Sequence, residues 1–88
     1  MTQLEESMIN GARSYLKLYL KVVPKTHDEL KNYDRSALTV HYTAGTVITS
    51  FAKSPLSGLS KEAKEALLNI DTQFENAEQQ YRALFRQE

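Results

Sequence analysis

Four basic residues follow one another at intervals of four: Arg13, Lys17, Lys21 and Lys25. Because a helix has 3.6 residues per turn, this spacing places them along one edge of a helix. A cationic stripe of this kind can contact an acidic protein, the phosphates of a nucleic acid, or a membrane surface, here beside Tyr15 and Leu18. It is also the usual composition of a solvated helix face, which the sequence favours over these contacts.

His41 is the most chemically suggestive residue. It stands next to the apolar positions Val40 and Ala44, and Gly45 follows four residues later. This pair resembles the histidine phosphotransfer domains, small antiparallel helical bundles in which an imidazole on a helix face accepts a phosphoryl group. That family uses the glycine to let a receiver domain approach, and it usually has a lysine where Ala44 stands here. The resemblance implies His41 as a phosphoacceptor, as an alternative to an ordinary histidine on a helix flank.

Tyrosine is frequent in this chain, with five residues and no tryptophan. Tyrosine combines apolar area with a polar hydroxyl and is favoured in protein interfaces. Most of the five positions fall in or beside a predicted core. Tyr42 falls off the apolar seam of its helix, so we predict that Tyr42 and Tyr19 form an exposed aromatic surface for a partner.

Composition argues against several classes of function. Eleven basic residues balance eleven acidic ones, so no net charge draws the chain to nucleic acid. The chain has no cysteine, and His27 and His41 are not spaced as paired metal ligands, so we expect no metal and no cofactor. Phosphate-binding glycine loops and nucleophile motifs are absent from the sequence, which predicts a protein that is not an enzyme. Without an apolar run long enough to span a bilayer, a cytoplasmic location is the expectation.

The elements that must position these residues are three long helices. The last is the clearest, because Ser60 is a suitable N-cap and Lys61 to Gln87 contains neither glycine nor proline. Glu78 precedes Arg82 by four residues, the favourable order for an ion pair. Apolar residues at alternating steps of four and three form its predicted seam: Ala63, Leu67, Ile70, Phe74, Ala77, Tyr81 and Leu84.

The first helix is predicted to begin with a capping box, Thr2 to Glu5, and to end before Pro24. Its broad apolar face comprises Leu4, Met8, Ile9, Ala12, Tyr15, Leu16, Tyr19, Leu20, Val22 and Val23.

The second helix is predicted to begin at another capping box, Thr26 to Glu29. β-Branched residues between Thr39 and Thr49 favour a strand by type, but their periodicity favours helix. A break is expected near residues 32–36, where Asp34 or Ser36 could cap a new start. The predicted buried seam is Leu30, Tyr33, Ala37, Val40, Ala44, Val47 and Phe51.

The sequence therefore predicts an all-α antiparallel bundle of three long helices, or of four if the second is broken near Tyr33, in one domain of residues 1–88. Glutamines at 73, 80 and 87 flank the closing seam in place of the charges that select coiled-coil partners, which favours a core within one chain.

The expected function is a non-enzymatic binding module that presents a helical face to a protein partner, as a small adaptor, inhibitor or immunity-type protein. A homo-oligomer is a further option. In size and class the outline is similar to small helical bacteriocin-immunity proteins, without a shared motif. Phosphotransfer at His41 and a nucleic-acid or membrane contact through the Arg13 to Lys25 stripe are the alternatives.

Overall fold

Three α-helices make up most of the computed structural model, which describes residues 1–86. Helix α1 spans Gln3–Val22, α2 spans Arg35–Ser50 and α3 spans Lys61–Leu84. Two short 3-10 turns, Asp28–Lys31 and Phe51–Lys53, lie in the connections, and no strand occurs within residues 1–86. The three helices pack against one another, so the predicted all-α bundle is confirmed.

The caps of the first and last helices are those that the sequence predicts. The Thr2 hydroxyl accepts from the Glu5 N–H at 3.1 Å, and the Glu5 carboxylate accepts from the Thr2 N–H at 2.9 Å. Ser60 caps α3 by accepting from the Ala63 N–H at 3.2 Å. Each cap satisfies backbone donors that the first turn of a helix leaves free.

The predicted break near Tyr33 is present, but the segment before it is not a fourth α-helix. Thr26 accepts from the Glu29 N–H, whereas the Glu29 carboxylate accepts from the Lys25 N–H and not from that of Thr26. The second capping box is thus incomplete, and only a 3-10 turn forms there. Helix α2 begins after Asp34, whose carboxylate accepts from the Ala37 N–H at 2.9 Å.

Contacts between the helices fix their directions. The Ser60 N–H donates to Glu5, so α1 and α3 start at the same end of the bundle. At the opposite end, His27 Nδ1 lies 3.2 Å from the Leu84 carbonyl oxygen. Helix α2 runs the other way, because the chain returns through it between these two ends. The order is up, down and up, as the short connections predict.

The predicted seam of α3 is confirmed as the centre of the core. Ala63, Leu67 and Phe74 have no exposed surface, and Ile70 and Leu84 are buried. Ala77 and Tyr81 are half-buried against them. Glu78 and Arg82 form the predicted ion pair at 3.4 Å. Helix α3 ends at Leu84, and Phe85 and Arg86 lie in a turn, so the prediction that the helix continues through these two residues is wrong; Gln87 lies outside the described residues.

The predicted seam of α2 is wrong in its register. Val40, Val47 and Phe51 are 58%, 55% and 50% exposed. A second series, also at alternating steps of three and four but displaced by one or two residues along the chain, faces the core instead: Leu38, Tyr42, Gly45, Thr49 and Ala52, of which Tyr42 is half-buried and the others buried. On α1, Leu4 and Leu20 also prove exposed.

The physical reason for this register lies in α3. Gly45 leaves room for the Phe74 ring, and the Thr49 hydroxyl donates to Asp71 at 2.7 Å. A buried hydroxyl with a partner adds little cost, whereas a bulky residue at 45 would hold α2 away from α3. Close packing, and not the hydrophobicity of the seam, decides which face of α2 is buried.

Candidate interaction surface

The basic stripe has three exposed members on α1, Arg13, Lys17 and Lys21, and its fourth member has another role. Lys25 lies beyond the end of α1, where its Nζ donates to the Leu20 carbonyl at 2.6 Å and to that of Val23 at 3.3 Å. A cation at this place satisfies free carbonyls and complements the helix dipole.

Tyr19 is not part of an exposed aromatic surface, so this prediction is wrong. It is 1% exposed, and its ring centroid lies 5.5 Å from those of both Tyr42 and Phe74. Tyr42 is half-buried and meets the Phe74 ring edge-on at 5.8 Å. Burial raises the pKa of Tyr19 and that of Tyr42 to about 12. Both side chains belong to a cluster that joins the three helices.

His41 is half-buried between α1 and α2. Its ring centroid lies 6.3 Å from that of Tyr15, and its Nδ1 is enclosed without a hydrogen-bond partner among residues 1–86. Gly45 does not open a surface beside it, because the Phe74 ring covers the position. The glycine that carries the resemblance to phosphotransfer domains is therefore used in packing between α2 and α3.

Glu5 was predicted only as a capping residue, but it also joins two helices. Its side chain accepts from the Ser60 N–H at 2.6 Å as well as from Thr2, and the residue is 5% exposed. Hydrogen bonds from the backbone of Ser60 and Thr2 lower the pKa of its carboxyl. A signal was present in the sequence, since Glu5 precedes Ile9 by four residues on the buried face of α1.

A polar cluster of Thr49, Lys53 and Asp71 also has a structural role. The Lys53 ammonium lies 2.9 Å from the Asp71 carboxylate, which in turn accepts from buried Thr49. Within residues 1–86, no three His, Asp or Glu side chains come together as metal ligands. No arrangement for acid-base or nucleophilic chemistry emerges from this cluster.

The surface that sequence reasoning missed lies along α1 and α2, on the side away from α3. Ser36 to Ala52 contains no Asp, Glu, Lys or Arg. The outward side chains of this segment join two exposed leucines of α1 to form what we name the apolar flank: Leu4, Leu18, Val40, Val47 and Phe51. Scattered apolar residues are normal on a protein surface, but several large ones exposed on and beside a segment without charged side chains indicate a contact site.

One end of the apolar flank is concave. A depression of about 480 Å³ lies between the start of α1, the end of α2 and the following loop. Its walls are largely apolar and are formed by Leu4, Ser7, Met8, Ile48, Phe51, Ser57 and Leu59. The absence of charge from 36 to 52 is the signal in the sequence for this surface, but the apolar periodicity predicts a core position for Val40, Val47 and Phe51.

The fold and its surface define a small three-helix bundle with one uncovered apolar side. Comparison of the chain with family models, with curated proteins and with solved structures found no match. None of the helices within residues 1–86 is both long and apolar enough to cross a membrane.

Proposed function

We propose that this chain is a non-enzymatic protein-binding module, an adaptor or inhibitor whose apolar flank packs against a helix of a protein partner. The observation that carries the proposal is the exposure of Val40 and Val47 on α2, and of Phe51 directly after it, in a segment without Asp, Glu, Lys or Arg from Ser36 to Ala52. Covering these side chains removes apolar area from water, which is the main favourable term in most protein association.

The shape of the apolar flank supports a helical occupant. Helices α1 and α2 pack against each other, and the depression beside Leu4 and Phe51 makes one end of the flank concave. Each helix has a small half-buried residue, Gly11 on α1 and Ala44 on α2. Small side chains allow the backbone of a third helix to approach closely. Amphipathic helices bind apolar grooves through apolar residues spaced by three and four.

A photo-crosslinking residue placed at Val47 tests the proposal in cells. Leu68 on α3 is the matched control, since it is also a large exposed apolar residue, at 40% against 55% for Val47. We expect a discrete protein adduct from position 47 and none from position 68, with mass spectrometry identifying the adduct. Equal adducts at both positions, or none at 47, would contradict the proposal.

Two other functions have less support. The resemblance to phosphotransfer domains rests on His41 and Gly45. Because the Phe74 ring covers Gly45, this glycine gives a receiver domain no access to His41. A nucleic-acid or membrane contact through the basic stripe would have only three of its four cations available. The fourth, the Lys25 ammonium, donates to carbonyls at the end of α1.

A further inference from the structure

We infer that the occupant of the apolar flank is a second copy of this chain, related to the first by a two-fold axis that lies across α1 and α2. This inference rests on the proposed function, because it uses the same surface. In such a dimer the two flanks face each other, each α1 packs on the other α1, and each α2 on the other α2. The four pairs that α1 and α2 form within and between the two copies are then all antiparallel.

The outward residues of α2 have the symmetry that this arrangement requires. Val40, Ala44, Val47 and Phe51 are separated by four, three and four residues, so the spacing is the same in both directions. In an antiparallel pair, Val40 lies opposite Phe51 of the second copy. Ala44 lies opposite Val47, so a small side chain meets a larger one at both central positions.

The outward residues of α1 are symmetric about Gly11. Leu4 precedes it by seven residues and Leu18 follows it by seven, so these leucines lie on one face of α1. A Cβ at Gly11 would lie 3.5 Å from Ile48 Cδ1, which places Gly11 at the level of Ile48. The midpoint of the α2 series is only about 4 Å from that level at 1.5 Å per residue. A single two-fold axis can therefore relate the α1 pair and the α2 pair of the dimer.

Gly11 itself needs an explanation that the single chain does not supply. A glycine inside a helix costs about 1 kcal/mol relative to alanine. An alanine at this position would make only an ordinary contact with Ile48. A second α1 crossing at Gly11 explains the glycine, because two helices approach most closely where neither has a side chain.

Charge and the size of the contact also fit a second copy. A two-fold contact places the same surface of each copy against the other, so a patch of one charge would face like charge and be repelled. The apolar flank has no charged residue and avoids this repulsion. The flank exposes five large apolar side chains on each copy, a smaller contact than the roughly 20–30 residues on each side of a standard interface. We therefore expect a reversible dimer and not an obligate one.

The concave end of the flank is filled in the same arrangement. The two-fold axis exchanges the ends of the flank, so the depression of about 480 Å³ beside Leu4 and Phe51 faces Leu18 and Val40 of the second copy. Apolar side chains would then occupy apolar space at both ends of the dimer.

Charge substitutions at the two facing positions provide the test, by sedimentation equilibrium of the full chain. Val40→Glu and Phe51→Lys alone each place two unpaired charges in the contact and should weaken self-association at least about a hundredfold. An equimolar mixture of the two variants should form a heterodimer, because one Glu–Lys pair then forms across the axis while Val40 of one copy still faces Phe51 of the other. Within one chain these positions are about 16 Å apart, so the rescue reports only a contact between copies.

Leu68→Glu is the control, because it changes the outer side of α3 and should leave the dimer unchanged. Circular dichroism checks that each variant keeps its helices. A second test uses Gly11→Cys, which supplies the chain's only thiol. Oxidation should link two copies at position 11 and not at position 68 in Leu68→Cys, since a disulfide needs Cα atoms within about 7 Å.

A wild-type chain that stays monomeric at millimolar concentration overturns the inference. A dimer whose association is weakened by neither Val40→Glu nor Phe51→Lys also overturns it. These results are distinguishable from failure of the proposed function. Crosslinking of another protein at Val47 by a monomeric chain would retain the binding module and reject the second copy. Crosslinking at Val47 to a second copy alone would support the dimer and would contradict an adaptor or inhibitor that uses this surface for another protein.

Discussion

The ring of Phe74 occupies the space where a side chain at Gly45 would begin. A Cβ at this position would lie 2.7 Å from Phe74 Cε2 and nearer still to Cζ, closer than real Cβ contacts. Because α2 and α3 touch here with backbone against ring, this contact sets which side of α2 is buried. The exposed side, with Val40 and Val47, follows from it.

We predict that Gly45→Ala lowers the free energy of unfolding by about 1–2 kcal/mol, although alanine is the better helix former. The Phe74 ring must shift, and overpacking costs about 1–3 kcal/mol, which outweighs up to about 1 kcal/mol from helix propensity. Urea denaturation followed by circular dichroism measures the change.

Gly11→Ala is the matched control for that substitution. Its Cβ makes only an ordinary contact, so in a monomeric background such as Val40→Glu it should raise the free energy of unfolding by about 0.5–1 kcal/mol. If both alanines stabilised the protein equally, the close approach of Phe74 would not determine the register of α2.

We predict that stability falls in acid because of Glu5 and Asp71. Hydrogen bonds from Ser60 and Thr2 lower the pKa of Glu5 below 4.5. Burial pushes the pKa of Asp71 upward, but the Lys53 ammonium and the Thr49 hydroxyl outweigh it and hold that pKa below 3.8. Both carboxyls therefore bind protons more readily in the unfolded chain. Their stabilisation is complete above about pH 4.5 and is lost as the pH falls through the folded-state values.

Urea midpoints measured from about pH 7 to about pH 2 test this dependence. Glu5→Gln and Asp71→Asn should each be less stable than wild type at neutral pH and should approach it in acid. If the urea midpoint of a variant differed from that of wild type by the same amount at every pH, Glu5 and Asp71 would not be the cause of the loss of stability in acid.

The start of α1, the end of α1 and the start of α3 could be predicted from the sequence because each depends on local chemistry. Thr2 and Ser60 need only their own backbone neighbours to act as caps, and Pro24 directly follows Val23, the C-cap of α1. The seam of α3 was also predictable, since its large apolar residues follow one series. These features can be predicted without knowledge of the contacts between helices.

The register of α2 could not be predicted in the same way, because two series with helical spacing share the segment from 37 to 52. Counting apolar residues favours the series with Val40, Val47 and Phe51. The buried series contains Gly45 and Thr49, whose burial depends on Phe74 and Asp71 in a helix more than 20 residues away. The candidate surface was missed for the same reason, since its residues had been placed inside.

We predict that the protein loses stability in alkali because of three tyrosines. Burial raises the pKa of Tyr19, Tyr42 and Tyr81 to about 12, against 10.0 for an exposed phenol, and the Tyr33 hydroxyl at 2.6 Å adds to the shift at Tyr81. The unfolded chain then releases protons near pH 10 that the folded protein keeps to near pH 12. Stability therefore falls as pH rises across this interval.

Tyrosinate absorbance and circular dichroism, followed together, measure this transition. In Tyr19→Phe the change in absorbance that accompanies unfolding should be smaller, because one buried phenol is removed. Ionisation of all the tyrosines near pH 10 without loss of helix would refute the buried cluster.

We predict that His41→Leu raises the free energy of unfolding by about 1 kcal/mol. The enclosed Nδ1 has no partner among residues 1–86, and a buried polar atom without a hydrogen bond costs about 1–3 kcal/mol. His27→Ala is the contrasting variant, since His27 Nδ1 contacts the Leu84 carbonyl and its loss should lower stability. Thermal unfolding of the two variants distinguishes these opposite signs.

Lys25 and Lys17 should respond differently to alanine, although both belong to the basic stripe. Lys25→Ala removes two hydrogen bonds to the carbonyls of Leu20 and Val23 at the end of α1, so we predict a loss of about 0.3–1 kcal/mol in the free energy of unfolding. Lys17→Ala leaves an exposed helix position and should change it by less than about 0.5 kcal/mol. Added salt should reduce the difference, since the interaction with the helix dipole is screened. Equal effects of the two substitutions would show that Lys25 does not cap α1 and would return it to the stripe of free cations.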